Sequence, residues 1–173
     1  EIALQHPQLS LVFTPNDSTD LSATYREKAD FFQPLFVSLQ VTDKQIPELA
    51  HWNKAECLYI NLADSVITQS LPALPAMKEC IVIGENAIYL PVDFFSNNPQ
   101  LTKLSLLIDA PYGQLLSPLK KLDELVLMNE DSIPSLPSLS GQLDQLSVLI
   151  ISGNCKNIDQ LGNATQLKWL GLP

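Results

Sequence analysis

Aliphatic residues recur along this chain in pairs whose members are separated by one residue. The first members of successive pairs recur at intervals of about 21 to 24 residues, apart from a longer first interval of about 28 residues. Side chains alternate between the two faces of a strand, so each pair predicts a short strand with one buried face. The pairs are Leu9/Leu11, Val37/Leu39, Leu58/Ile60, Cys80/Val82, Leu104/Leu106, Leu125/Leu127, Leu149/Ile151 and Leu170/Leu172.

The longest version of the pattern lies between Leu146 and Leu172. Its order is L-x-x-L-x-L-x-x-N with an apolar residue soon after, and the positions are Leu146, Leu149, Ile151, Asn154 and Ile158. The pattern starts again at Leu167. This stretch resembles the leucine-rich repeat family, and the resemblance extends back to Leu9.

The resemblance implies an α/β fold, a leucine-rich repeat solenoid. Such a solenoid is a curved right-handed superhelix with a parallel β-sheet on its concave face and short helices and extended arms on its convex face. No single unit can bury its own leucines, so neighbouring units stack and share one core. The arm around Ile158–Leu167 resembles the helical arms of internalin-type repeats, and SLPALPAM resembles the extended arms of bacterial repeat effectors.

Two further positions of the repeat are less regular. A third apolar residue follows eight or nine places after most strand pairs begin, at Ile46, Val66, Ile88, Ile133 and Ile158. The family's asparagine column instead contains Thr14, Thr42, Ala63, Glu85, Asp109, Glu130 and Asn154. A buried unpaired carboxylate is costly, so the three acids are expected to turn outward at irregular corners.

The pattern indicates one continuous domain. Residues 1–33 would form a first strand and a capping helix, Leu21–Phe32, and residues 34–173 would form the repeats. The last repeat stops within a strand, where a solenoid needs a polar cap. Two explanations stay open at this point: further repeats have been removed, or a dimer mate covers the end.

Composition limits the classes of partner. A net charge of −9 argues against nucleic acid and anionic membranes, since both need a basic surface. No apolar run is long enough to span a membrane. The chain begins at Glu1 rather than methionine, which leaves a removed leader possible, and the flanking cysteines of animal extracellular repeats are absent. The absent cysteines favour a bacterial or intracellular relative over an animal receptor ectodomain. The sequence does not fix the compartment, and a secreted, periplasmic or cell-surface location is favoured over a cytoplasmic one.

No residue pattern points to catalysis or a cofactor. His6 and His51 lack acids or cysteines at metal-ligand spacing, and a zinc site needs three or four convergent ligands. No nucleophile or phosphate-binding motif occurs, and Cys155 has no base partner. Phe94 and Phe95 are expected to fill the core on the convex side. We therefore expect no enzyme activity, no cofactor, no metal and no small-molecule substrate.

The outward strand positions predict a binding surface. The candidate partner-binding residues, which include six apolar side chains on adjacent strands, are Tyr59, Ile81, Ile83, Leu107, Val126, Met128 and Ile150. An exposed apolar patch of a few hundred Å² usually marks an interaction site. Polar residues at Glu79, Lys103, Glu124 and Asn129 would form its rim.

The sequence thus predicts a non-catalytic module that binds a protein partner through the concave sheet. Self-association and cover by another part of the same polypeptide remain alternatives for the same patch. Another alternative is the substrate-recognition arm of a larger secreted bacterial enzyme, such as a ubiquitin ligase. A carbohydrate-binding role ranks last, because the outward aromatic residues Tyr59 and Trp169 stand far apart in the repeat order.

Overall fold

The fold is known from a computed structural model, which describes residues 36–84, 88–107, 112–128, 143–152, 161–162 and 164–172. Several predicted features lie outside these ranges: the first strand near Leu9, the capping helix Leu21–Phe32, the acidic corners, and the positions of Ile133, Asn154, Cys155 and Ile158.

The described ranges contain one sheet of seven parallel strands in sequential order. The strands are β1 (Phe36–Val41), β2 (Cys57–Leu62), β3 (Glu79–Gly84), β4 (Lys103–Leu107), β5 (Glu124–Met128), β6 (Val148–Ser152) and β7 (Trp169–Gly171). A 3₁₀-helix, η1 (Asp43–Trp52), follows β1, and a short α-helix, α1 (Tyr112–Leu116), follows β4. Sequential parallel pairing confirms the predicted repeat arrangement. The curvature and handedness of the stack stay predictions.

The strand register agrees with the sequence spacing at every pair of described strands. Each strand's first inward residue is the direct partner of the next strand's, in the order Val37, Leu58, Cys80, Leu104, Leu125, Leu149 and Leu170. A one-residue slip would turn every inward side chain to the other face. The unequal repeat lengths are therefore absorbed by the arms between strands.

One continuous core lies behind the sheet. Both members of each predicted pair in β1 to β6 are buried, and in β4, β5 and β6 they join the leucines three places before the first member: Leu101, Leu122 and Leu146. Each such leucine contributes about 1.5–3 kcal/mol when fully buried. At β7 the equivalent residues Leu170 and Leu172 are 38% and 42% exposed.

The arms close the core on its far side. Ile46, Leu49 and Trp52 are buried three residues apart in η1, which matches the three residues per turn of a 3₁₀-helix. Phe94 and Phe95 are fully buried, with ring centroids 4.9 Å apart in an edge-to-face arrangement. Their predicted role in filling the core is confirmed.

Val66 differs from Ile46 and Ile88, the other described apolar residues at this position of the repeat, because it is not buried. Val66 is 54% exposed, and its neighbour Ile67 is buried instead. The reason is an isolated parallel bridge between Val66 and Tyr89, in which the Ile67 amide donates to the Tyr89 carbonyl at 2.9 Å. Strand-like alternation in this bridge turns Val66 and Tyr89 outward and Ile67, Ile88 and Leu90 inward.

Side-chain amides connect the arms of neighbouring repeats. Four of them donate to the backbone carbonyl 26 residues earlier: Asn97 to Leu71, Asn98 to Pro72, Gln100 to Leu74 and Gln145 to Leu119. Asn98 is completely buried, and its Oδ1 also accepts the Leu74 amide at 2.9 Å. These amides satisfy arm carbonyls that have no strand partner.

A second backbone contact recurs at the start of each strand from β3 to β7. One backbone carbonyl of the preceding repeat accepts two consecutive amides of the next, at distances between 2.8 and 3.1 Å. The accepting carbonyls belong to Glu56, Lys78, Thr102, Asp123 and Ser147. This shared carbonyl fixes where each strand starts, and it therefore supports the register.

We expect Asn98→Ala to lower the free energy of unfolding by about 2–3 kcal/mol, because it leaves the buried Leu74 amide and Pro72 carbonyl unpaired. Asn98→Asp should also destabilise, since it keeps the acceptor but loses the donor. Urea denaturation measures both. The control is Asn53→Ala, an exposed position, with a change below about 0.5 kcal/mol. Equal losses at Asn98 and Asn53 would contradict this account.

Asp43 links the first two described repeats. Its carboxylate accepts the Thr68 hydroxyl at 2.7 Å and the Thr68 and Gln69 amides at 2.6 and 3.0 Å. The Thr68 hydroxyl, followed by the two amides, lowers the pKa of Asp43 below its ordinary value of 3.8. A carboxyl with a lowered folded-state pKa stabilises the fold above its ordinary pKa, and this stabilisation is lost as the pH falls through the folded-state pKa.

We therefore expect Asp43→Ala to destabilise the protein by about 1 kcal/mol at pH 7, a modest value because the site is exposed to solvent. The difference from wild type should shrink as the pH falls below 3.8. Urea midpoints at pH 7, 5 and 3 test this, with Asp144→Ala, an exposed acid, as the matched control. A difference that is independent of pH would show that the charge of Asp43 plays no part.

Candidate interaction face

The side of the sheet opposite the core presents three columns of side chains, and we call this side the outer face. The leading column is Phe36, Cys57, Glu79, Lys103, Glu124, Val148 and Trp169. The central column is Ser38, Tyr59, Ile81, Ser105, Val126, Ile150 and Gly171. The trailing column is Gln40, Asn61, Ile83, Leu107, Met128 and Ser152. Strand register makes direct neighbours of successive members of the leading and central columns.

The seven predicted partner-binding residues all lie on this face between β2 and β6. Met128 is 40% exposed and the other six are partly exposed. Ser105 separates Ile81 from Val126 in the central column, while Ile83 and Leu107 are direct neighbours in the trailing column. The six apolar residues among these seven are called the apolar patch below: Ile81, Ile83, Leu107, Val126, Met128 and Ile150. Their predicted role in binding remains a prediction.

The apolar patch extends further than the sequence analysis predicted. Val148 lies two residues before Ile150 on the same face, and its register partner Trp169 is 62% exposed. Strand alternation that places Ile150 outward also places Val148 outward, so the signal was present in the sequence. It was missed because the apolar residues of the patch were sought only at the two outward positions after the first inward residue of each strand, and the position before it was used for the polar rim.

Gly171 shapes the end of the face next to β7. A Cβ atom at this position would meet Cγ2 of Ile150 at 3.3 Å, closer than ordinary van der Waals contact. Ile150 therefore occupies the space that a side chain on its register partner would fill. The Ile150 side chain therefore packs beside the backbone of Gly171.

Charged residues interrupt the leading column in its middle. Lys103 Nζ lies 2.8 Å from Glu124 Oε1, and Glu79 is the register partner of Lys103 on the other side. The hydrogen bond from Lys103 to Glu124, and then the charge of Glu124, raise the pKa of Lys103. Because the pair is exposed, it orients the side chains more than it stabilises the fold. Asn129, the fourth predicted rim residue, lies outside the described ranges.

Cys57 and Cys80 are neighbouring residues with different surroundings. Cys80 is buried in the core, as predicted, and burial raises the pKa of its thiol. Cys57 lies on the outer face beside Glu79, where burial, followed by the charge of Glu79, raises the pKa of its thiol to about 11. Thiolate is the reactive form of cysteine, so both side chains are poor nucleophiles at neutral pH.

The described residues offer little other chemistry. Within these ranges no three His, Cys, Asp or Glu side chains converge as metal ligands would. His51 lies 3.2 Å from Glu48, three residues earlier in η1. Among the helices of the described part, none is long and apolar enough to cross a membrane.

Comparisons with known proteins include a distant structural likeness. No family model and no curated protein match the chain. A crystal structure of an internalin from Listeria monocytogenes matches with a TM-score of 0.37 and 16% sequence identity, over 80% of this chain and 53% of the internalin chain. The chain thus spans about half the length of that internalin. A likeness this distant identifies neither a family nor a function.

We expect Cys57 to react with a thiol reagent at pH 8 about 100-fold more slowly than a cysteine with the ordinary pKa of 9.0. A Cys155→Ser background, with Cys80 buried, isolates the Cys57 signal. Adding Glu79→Gln should accelerate the reaction severalfold, less than tenfold, because burial is the larger cause of the raised pKa. A rate equal to that of an unfolded control would contradict the description of this position.

Proposed function

We propose that the chain is a non-catalytic interaction module that binds a protein partner through the outer face. The observation that carries the proposal is the partly exposed apolar patch, in which Ile83, Leu107 and Met128 occupy outward positions on three consecutive strands. Residues at outward positions are not part of the core that the inward leucines and isoleucines form. Apolar residues there therefore do not help to bury that core. Apolar side chains grouped on a surface are typical of binding sites.

The charge distribution supports a protein as the occupant of the face. The chain has 19 acidic and 10 basic residues, and Glu79 and Glu124 flank Lys103 in the middle of the leading column. A face of this kind repels phosphate backbones and anionic lipid headgroups. It fits a protein surface with an apolar centre and basic flanks, in which the charges steer association and the apolar contacts hold the complex.

The leucine-rich repeat assignment belongs to the same proposal. Sequential parallel strands and an unbroken inward register support it, as does a strand spacing within the range of that repeat family. A curved stack would make the outer face concave, so that one partner could contact several strands. The bacterial, secreted or surface location is part of the proposal as well, and it depends on the sequence resemblance alone.

We expect the double variant Ile83→Glu/Met128→Glu to weaken partner binding at least about 30-fold, the effect of losing an interface hot spot of about 2 kcal/mol. Its thermal unfolding should stay close to that of wild type, since both side chains point away from the core. The partner is first captured with wild-type protein and then purified for titration calorimetry. Ala50→Glu, an exposed position in η1 on the far side of the core from the outer face, is the control.

Light scattering of the same three proteins separates a foreign partner from a second copy. The proposal predicts a monomer in every case, with binding lost only in the double variant. A concentration-dependent dimer that the double variant abolishes would assign the apolar patch to self-association. Unfolding of the double variant would place these residues in the core and contradict the strand register.

A further inference from the structure

A small polar cleft lies at the carboxyl ends of β1 and β2, beside the outer face. Its volume is about 280 Å³, and its lining residues are Gln40, Asn61, Leu62, Ala63, Asp64, Ser65 and Ile88. Asn61 is the register partner of Ile83, the first trailing-column member of the apolar patch. The cleft and the apolar patch are therefore neighbours on one surface.

The cleft presents hydrogen-bond acceptors that the fold leaves unused. Asp64 Oδ2 accepts the Asp43 amide at 2.7 Å, which fixes the carboxylate in place. Within the described part of the chain, Asp64 Oδ1 and the side-chain amides of Gln40 and Asn61 make no hydrogen bond. A held carboxylate with a vacant oxygen, next to two free amides, is a preorganised acceptor site.

The charge of the cleft favours a positively charged ligand. Asp64 is the only charged residue among the described lining residues, and the backbone of a second acid, Asp43, contacts it directly. No basic side chain among these lining residues neutralises the acids. A cation is therefore attracted, while a carboxylate or phosphate is repelled.

The size of the cleft and the placement of its acceptors limit the kind of cation that it can bind. Pockets for drug-sized ligands occupy roughly 300–1,000 Å³, so a cleft of about 280 Å³ suits a single side chain better than a whole cofactor. Among cationic side chains, guanidinium offers several coplanar donors that can reach a carboxylate oxygen and amide oxygens together. Ammonium is a compact point charge and uses such a site less fully.

We propose that this cleft binds the guanidinium group of an arginine that a protein partner presents while it lies on the outer face. The proposal deepens the function inferred above and rests on it. In this arrangement Asp64 Oδ1 and the oxygens of Asn61 and Gln40 accept from the guanidinium. The apolar patch supplies contact area, and the cleft selects partners with an arginine at the right place.

The test is an amide NMR titration of the whole chain with N-acetyl-arginine methylamide. We expect saturable shifts centred on Asn61, Ala63 and Asp64, and no such shifts with the matching citrulline compound, which has the same shape without the charge. Asp64→Asn, which keeps an acceptor for the Asp43 amide, should weaken binding at least about tenfold. Gln40→Ala, an exposed position without hydrogen bonds in the described chain, should weaken it severalfold.

The control Asp144→Asn removes the same charge from an exposed site elsewhere and should bind arginine like wild type. Equal binding of citrulline, or shifts unchanged by Asp64→Asn and Gln40→Ala, would overturn the proposal. Methylguanidinium should bind about as tightly as the blocked arginine, because the cleft contacts the guanidinium group alone; equally tight binding of methylammonium would refute the selection of guanidinium over ammonium. Because this titration does not involve the apolar patch, its failure is distinct from failure of the proposed function.

Discussion

The structure depends on one constraint: no strand can bury its inward residues without the strands beside it. Each repeat contributes only two or three inward side chains from its strand, too few to exclude water alone. In β1 to β6 these residues are buried, and each of these strands pairs in register with the strand beside it. The register therefore brings the buried residues of successive repeats together in one core.

Backbone hydrogen bonding maintains this register where repeat lengths differ. The arms vary in length from one repeat to the next, yet one carbonyl directly ahead of each of β2 to β6 accepts two amides at the start of the next strand. These carbonyls belong to Glu56, Lys78, Thr102, Asp123 and Ser147. Buried amides such as Asn98 satisfy arm carbonyls on the far side. Variation in the arms is tolerated because their polar groups find partners one repeat away.

The sequence predicted the strands well because alternation and a fixed register leave few choices, and both members of every predicted pair from Val37/Leu39 to Leu149/Ile151 are buried. The arms follow no fixed period, so a local bridge between Val66 and Tyr89 decided which neighbour is buried. Asn98 was missed because the family pattern directs attention to an asparagine after the strand, whereas Asn98 precedes its strand. The cleft near Asp64 was missed because it depends on how an arm turns after β2, and single-sequence patterns do not encode that backbone geometry.

The two faces of the sheet have different roles, and this difference would allow the proposed binding to be selective. Inward positions are fixed by the shared core, so outward positions are free to match a partner. Strands of one sheet lie roughly 4.8 Å apart, which places the cleft at β1 and β2 roughly 20 Å from the β6 end of the apolar patch. That span is comparable to one side of a standard interface of about 800 Å². Under the proposed function, a partner that fills this span would have to satisfy apolar and polar requirements at once, and this double requirement would make the outer face selective.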